Sequence, residues 1–125
     1  MTGLSEPPAL GTPMLPPGTF SGKVVVVTGG GTGLGKAIGT EFARLGATVV
    51  VASRDPEHRE NGVKAMNAAG GKGFGIAVDV RSPEAIATAF DEIEKNCGPI
   101  DVLVNNAAGN FPCLLRRCPQ MLGVQ

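Results

Sequence analysis

The residues most able to do chemistry form one run, Thr28-Gly29-Gly30-Gly31-Thr32-Gly33-Leu34-Gly35. Glycines at this density let a backbone turn tightly and come close to a pyrophosphate, whose charge a helix N-terminus stabilises. The spacing is particular. G-x-G-x-x-G cannot be read here, because Leu34, Lys36 and Ile38 stand where its last glycine would fall. The pattern that fits is T-G-x-x-x-G-x-G, carried by Thr28, Gly29, Gly33 and Gly35. A flexible loop without a ligand is the alternative, and a strand before the run with a helix after it argues against that. Further on, Ala52-Ser53-Arg54-Asp55 combines a small neutral residue with a guanidinium suited to a phosphate monoester. Asp79 and Asn105-Asn106 are two further polar sites at the ends of apolar runs.

Elements of regular period must place these residues. Val24 to Val27 is a β-branched run bounded by glycine, which predicts a strand buried on both faces. A helix is expected from about Thr32 to Leu45, with Leu34, Ile38, Phe42 and Leu45 at helical spacing and Gly46 ending it. Thr48 to Ala52 reads as a second strand. Asp55-Pro56-Glu57 then opens a second helix, because aspartate caps, proline suits the first helical position and glutamate suits the first turn. Phe74 to Val78 is the expected third strand, ending in Asp79. Ser82-Pro83-Glu84 opens a third helix with Ile86, Phe90 and Ile93 on one face, and Ile100 to Val104 is the expected fourth strand.

This β-α-β-α-β-α-β alternation predicts an α/β fold: an incomplete Rossmann-type, doubly wound parallel sheet in strand order 3-2-1-4 with helices on both faces. Three regions are expected. Residues 1–22 form a Pro/Gly-rich arm that Met14, Leu15 and Phe20 would anchor. Residues 23–111 form a truncated dinucleotide-binding domain, and 112–125 form an irregular tail.

In such a sheet, ligands lie beyond the carboxyl ends of the strands. The tip of the second strand would meet the adenosine ribose of a nicotinamide dinucleotide. Arg54 there favours the 2′-phosphate of NADP(H) over NAD(H), the alternative being an arginine in solvent; Asp55 is better used as the helix cap. Asp79 is placed to accept a hydrogen bond from the adenine amine, or else to cap its own loop. Asn105-Asn106 reads as a turn in contact with the cofactor.

Composition closes off several other classes. Lys+Arg and Asp+Glu number 11 each, so the net charge is zero and no basic surface for nucleic acid is expected. No apolar run reaches the ~20 residues of a membrane span, and no targeting signal is seen. Cys97, Cys113 and Cys118 make an odd set without CxxC spacing, and His58 is the single histidine, so neither a disulfide framework nor a zinc site is expected. The chain holds no tyrosine.

Taken in order, the glycine pattern, Asp79-Val80 and Asn105-Asn106-Ala107 resemble the short-chain dehydrogenase/reductases. The likeness covers residues 23–111. It is closer to the 2,4-dienoyl-CoA reductases, through Met14-Leu15-Pro16-Pro17 with Phe20, the Gly29–Leu34 stretch, Ala52-Ser53-Arg54, Asp79-Val80-Arg81 and Asn105-Asn106-Ala107-Ala108-Gly109-Asn110-Phe111. The resemblance implies an NADPH-dependent oxidoreductase of fatty acyl-CoA substrates in unsaturated fatty acid β-oxidation, mitochondrial or peroxisomal, with a homo-oligomeric parent. It implies that Gly29, Gly30, Gly31, Thr32, Gly33, Leu34, Arg54 and Asp79 hold the cofactor. Arg81 and Phe111 would contact the acyl-CoA, and Asn110 would hydrogen-bond its thioester carbonyl, where hydride addition develops negative charge. A loop turn for Asn110 and a core plug for Phe111 are the plainer alternatives.

The family's catalysis further implies a tyrosine and, four residues on, a lysine. With no tyrosine, this chain is expected to be an inactive N-terminal fragment of such an enzyme. A dinucleotide-binding or partner-binding module, engaging through Arg116 and Arg117, is the other expectation. Codon degeneracy allows a coding sequence in which one base added after Cys113 turns the tail into Pro-Ala-Glu-Glu-Met-Ser-Pro-Asn-Ala-Trp-Gly-Ala. That peptide resembles the segment beyond Gly-Asn-Phe in those reductases, so 112–125 is expected to be out of frame.

Overall fold

The computed structural model describes residues 3–12 and 14–107. The elements run in the order β1 (Val24–Thr28), α1 (Gly33–Arg44), β2 (Thr48–Ala52), α2 (Pro56–Ala68), β3 (Lys72–Ile76), α3 (Pro83–Cys97) and β4 (Val102–Val104). They form one parallel sheet in the order β3-β2-β1-β4, the order expected. Val24 pairs with Thr48 and Thr28 with Ala52, so the tips of β1 and β2 end level with one another.

Every residue of β1 is buried, as expected of a central strand. The two-residue period divides its valines between two cores. Val25 and Val27 join Val49, Val51, Ala43 and Met66 beneath α1 and α2, while Val24 and Val26 join Val50, Ile76, Ala89 and Ile93 beneath α3. One face of the sheet thus carries two helices and the other carries one. On the one-helix side Leu103 of β4 stays 44% exposed and borders an apolar recess of about 150 Å³.

Four sequence expectations need correction. Of the apolar positions expected to pack from α1, Leu45 is buried and Phe42 lies against the core, but Leu34 is 71% exposed and the buried residues within the helix are Gly35, Gly39 and Ala43. The cause is close approach: a Cβ on Gly39 would lie 2.7 Å from Cε of Met66. The third strand runs from Lys72 to Ile76, two residues earlier at both ends than the expected Phe74 to Val78, because β3 pairs along the whole of β2, from Thr48 opposite Lys72 to Ala52 opposite Ile76. Glycine there marks helix–strand packing and no break, since a Cβ on Gly73 would lie 2.7 Å from the Val63 carbonyl oxygen. The fourth strand begins only at Val102; Asp101 instead ties its start to β1, donating from its N–H to the Val24 carbonyl and accepting the Val24 N–H at its carboxylate, both at 2.9 Å. In the arm, Met14 is exposed and Leu15 largely so, leaving Phe20 as the anchor. Its ring meets Phe42 edge-on at 5.0 Å, and its N–H donates to the Leu45 carbonyl at 3.0 Å.

Candidate functional site

β1 and β2 end side by side, and the chain leaves each at the carboxyl edge of the sheet. A cleft of about 940 Å³ opens there, bordered by the glycine turn, the β2 tip, the Asp79 loop and the start of the segment after β4. It gathers Gly29, Thr32, Gly33, Leu34, Arg54, Asp79 and Arg81. Gly30 and Gly31 are buried behind it. A side chain on Gly31 would collide with the His58 backbone, and one on Gly30 would press on Val27 at 3.1–3.2 Å. These two glycines seat the turn on α2 and β1; they do not line the cleft. Asn110 and Phe111 lie outside the described residues.

The turn is built to stay open. Gly29 has φ +67° and Gly33 φ +54°, values that favour glycine, and nothing lies within 4 Å of where a Gly33 Cβ would be. Thr28, buried at the end of β1, holds the far side together. Its Oγ1 accepts the N–H groups of Asn106 and Ala107, both at 3.0 Å, and donates to the Val104 carbonyl at 3.3 Å. The Asn106 side-chain amide donates to the Gly29 carbonyl at 3.3 Å, so this asparagine braces the turn as well as facing the cleft. A Cβ on Gly35 would strike both the Asn106 amide and the Gly29 carbonyl. Thr32, which precedes α1, makes no capping hydrogen bond with its side chain, and the first turn carries no acid. The residues therefore fit an anion at the start of this helix.

Charge divides across the cleft. Asp79 accepts from Arg81 through both oxygens, Nε to Oδ1 and Nη2 to Oδ2, each at 3.0 Å. The side-chain hydrogen bonds from Arg81 hold the Asp79 carboxyl down at about 2, with Arg54 adding a weaker pull, and the same pair raises the Arg81 pKa. Two residues read separately from sequence thus form one ion pair. Asp55 caps α2, accepting from the Glu57 N–H at 2.9 Å and the His58 N–H at 3.2 Å, and the bond from His58 is the leading cause of its lowered pKa. Arg54 forms no ion pair among the described residues. It is exposed beside the cleft.

Sequence reasoning missed Arg59, whose guanidinium donates to the carbonyls of Ser53 and Arg54. It also missed Thr28 as the tie between β1 and the segment after β4. Nothing local marks Arg59. Among the described residues no helix is long and apolar enough to cross a membrane, and no cluster of metal-ligating side chains occurs.

The short chain dehydrogenase family profile matches residues 23–120. A Caenorhabditis elegans protein named as a probable (3E)-enoyl-CoA-producing 2,4-dienoyl-CoA reductase is 47% identical over 102 residues, covering 80% of this chain and 33% of its own. A peroxisomal 2,4-dienoyl-CoA reductase of Danio rerio is 43% identical over 98 residues, covering 78% of this chain and 33% of its own. Among solved structures, a citronellol catabolism dehydrogenase of Pseudomonas aeruginosa superposes with a TM-score of 0.73 at 38% identity, over 78% of this chain and 41% of that one. The chain spans about one third of the length of the curated relatives it matches.

Proposed function

The chain belongs to the short-chain dehydrogenase family, and from that premise we propose that it forms the NADP(H)-binding portion of a 2,4-dienoyl-CoA reductase-like oxidoreductase acting on fatty acyl-CoA. The observation that carries this reading is the cleft itself, which sets an uncapped helix start at one side and an exposed arginine at the tip of β2. A pyrophosphate suits the first, and a 2′-phosphate suits the fork of the second. When bound, the nicotinamide supplies a hydride.

Each side chain has a role in this reading. Gly29, Thr32, Gly33 and Leu34 border the dinucleotide, with Gly30 and Gly31 shaping the turn behind them. Arg54 receives the 2′-phosphate. Asp79 keeps acceptor capacity beyond its three hydrogen bonds from Arg81, enough for the adenine amine. Arg81, at the rim, is positioned for the acyl-CoA together with Phe111, and Asn110 serves the thioester oxygen. Relatives named as 2,4-dienoyl-CoA reductases support the substrate class, and one named as peroxisomal supports that compartment, with the mitochondrion as the other.

The 125 residues contain no tyrosine to place a proton donor beside the reacting carbons. The chain alone is therefore expected to bind nucleotide without reducing a dienoyl-CoA. Titration with NADPH and NADH, monitored by nicotinamide fluorescence, tests the cofactor assignment. NADPH should bind more tightly, and Arg54→Asp should remove about 1.5–3 kcal/mol from that advantage. Equal affinities for the two would overturn it. Steady NADPH consumption that depends on a dienoyl-CoA would overturn the expectation of inactivity.

A further inference from the structure

Arg59 sits on the first turn of α2 and does not line the cleft. Its Nη1 donates to two successive backbone carbonyls at the end of β2, Ser53 at 2.8 Å and Arg54 at 3.1 Å. The same short segment is held from other directions. The Ser53 N–H donates to the Ile76 carbonyl at 3.1 Å, and the Asp55 N–H donates to the Ser53 hydroxyl at 3.2 Å.

The stem of Arg59 reaches this point across β3 at Gly75. A Cβ there would already be 3.6 Å from Cβ of Arg59 and 3.9 Å from its Cδ, and 3.3 Å from Cγ2 of Val63. A Cβ alone would make ordinary contact with the stem, so the branched atoms of a valine would crowd it. A bare strand position and a guanidinium spent on carbonyls thus serve one result, a fixed backbone at Ser53-Arg54. A bidentate contact between arginine and phosphate depends on alignment, and a mobile backbone under Arg54 would spread its fork over many orientations.

We propose that Arg59 is a positioning residue for cofactor choice, clamping the Ser53–Arg54 backbone so that Arg54 meets the 2′-phosphate while Arg59 itself touches no cofactor. The proposal rests on the NADP(H) reading of the cleft. It differs from a role for Arg59 as one more positive charge near the phosphate, and two variants separate these. Arg59→Met removes the donors and the charge but keeps a stem. Gly75→Val leaves the charge and crowds the stem.

The test titrates the 125-residue chain and both variants with NADPH and NADH, and measures amide hydrogen exchange at Ser53 and Asp55. In both variants NADPH affinity should fall about tenfold, equivalent to ~1.4 kcal/mol, with NADH affinity held within about twofold. Exchange at Ser53 and Asp55 should quicken while the amides of β1 stay protected. An Arg59→Met protein that keeps the NADPH preference overturns the clamp. So does a Gly75→Val protein that keeps it with unchanged exchange, since charge at a distance would then suffice. Equal NADPH and NADH affinities in the unmodified chain overturn the NADP(H) reading itself, and with it any role of Arg59 in selectivity. If a variant fails to fold by circular dichroism, Arg59→Lys takes its place; it keeps the charge on a shorter stem, and the same loss is expected, retention of the preference counting against the clamp.

Discussion

Helices α1 and α2 both begin at the cleft, and they begin in opposite ways. Before α2, the Asp55 carboxylate accepts two amides, proline comes next, and Glu57 adds an acid in the first turn. Before α1, Thr32 contributes no side-chain cap, the first turn holds no acid, and the turn ahead of it is glycine. One helix start is satisfied by its own residues, as is that of α3, where the Ser82 hydroxyl accepts the Ala85 N–H at 3.3 Å. The other is left for something else to satisfy. Uncapped amides cost stability in the free protein, which a bound anion would offset. The contrast teaches that the place where a fold leaves its own rule unmet is where its ligand belongs.

The largest effect should come from closing the open turn. Gly35→Val would drive a side chain into the Gly29 carbonyl and the Asn106 amide, and destabilisation of about 3 kcal/mol is expected, at the upper end for overpacking. A urea unfolding midpoint close to that of the parent would show that the turn is looser than described. The next largest test makes α1 resemble α2. Thr32→Asp supplies a capping carboxylate, so the free chain should gain a few tenths of a kcal/mol while NADPH affinity falls about tenfold. An unchanged affinity would mean that the phosphates do not approach this helix.

The reverse change concerns α2 alone. Asp55→Ala removes a cap and should lower stability by about 1 kcal/mol. Calorimetry of the free and NADPH-saturated chain checks this, because the loss should be similar in both if α2 is satisfied internally. A loss confined to the saturated chain would place the ligand at α2.

The smallest effect is one of pH. Asp79 titrates near 2 in the fold against an ordinary 3.8, so its contribution to stability is fully present above 3.8 and disappears as pH falls from 3.8 through about 2. Carboxyl-carbon NMR should show Asp79 still ionised at pH 3, and Arg81→Leu should bring its titration back toward the ordinary value. Insensitivity to that substitution would break the ion pair as an account of this side of the cleft.

Much of this arrangement is legible in the sequence because it is local. Asp55-Pro56-Glu57 and Ser82-Pro83-Glu84 specify helix starts through backbone groups within three residues, and both open where expected. The valine runs define central strands, and the alternation implies the parallel pairing found. The features that sequence hides depend on partners distant in the chain. Leu34, Ile38 and Phe42 have helical spacing, yet the residues of α1 that are fully buried are Gly35, Gly39 and Ala43, with Phe42 at the edge of that core and Leu34 exposed. The expected start at Phe74 leaves Gly73 outside the strand, yet it lies inside β3, where α2 packs so closely that a Cβ on it would meet the Val63 backbone. Asp79 and Arg81 point to two different ligands when read in sequence, and the short loop folds them onto each other. Arg59 carries no signal at all, since its carbonyl partners five and six residues earlier come within reach only when α2 turns back over the sheet.

The central claim, that the open start of α1 and the tip of β2 together receive a phosphorylated dinucleotide, is tested most directly by monitoring backbone amide resonances of the chain as NADPH is added. The amides of Gly33, Leu34 and Gly35 and of Arg54 should shift most, with those of Glu57 and His58, already bonded to Asp55, shifting least. Largest shifts at the α2 start, or along Ile86 to Ile93 beside the apolar recess, would contradict the claim.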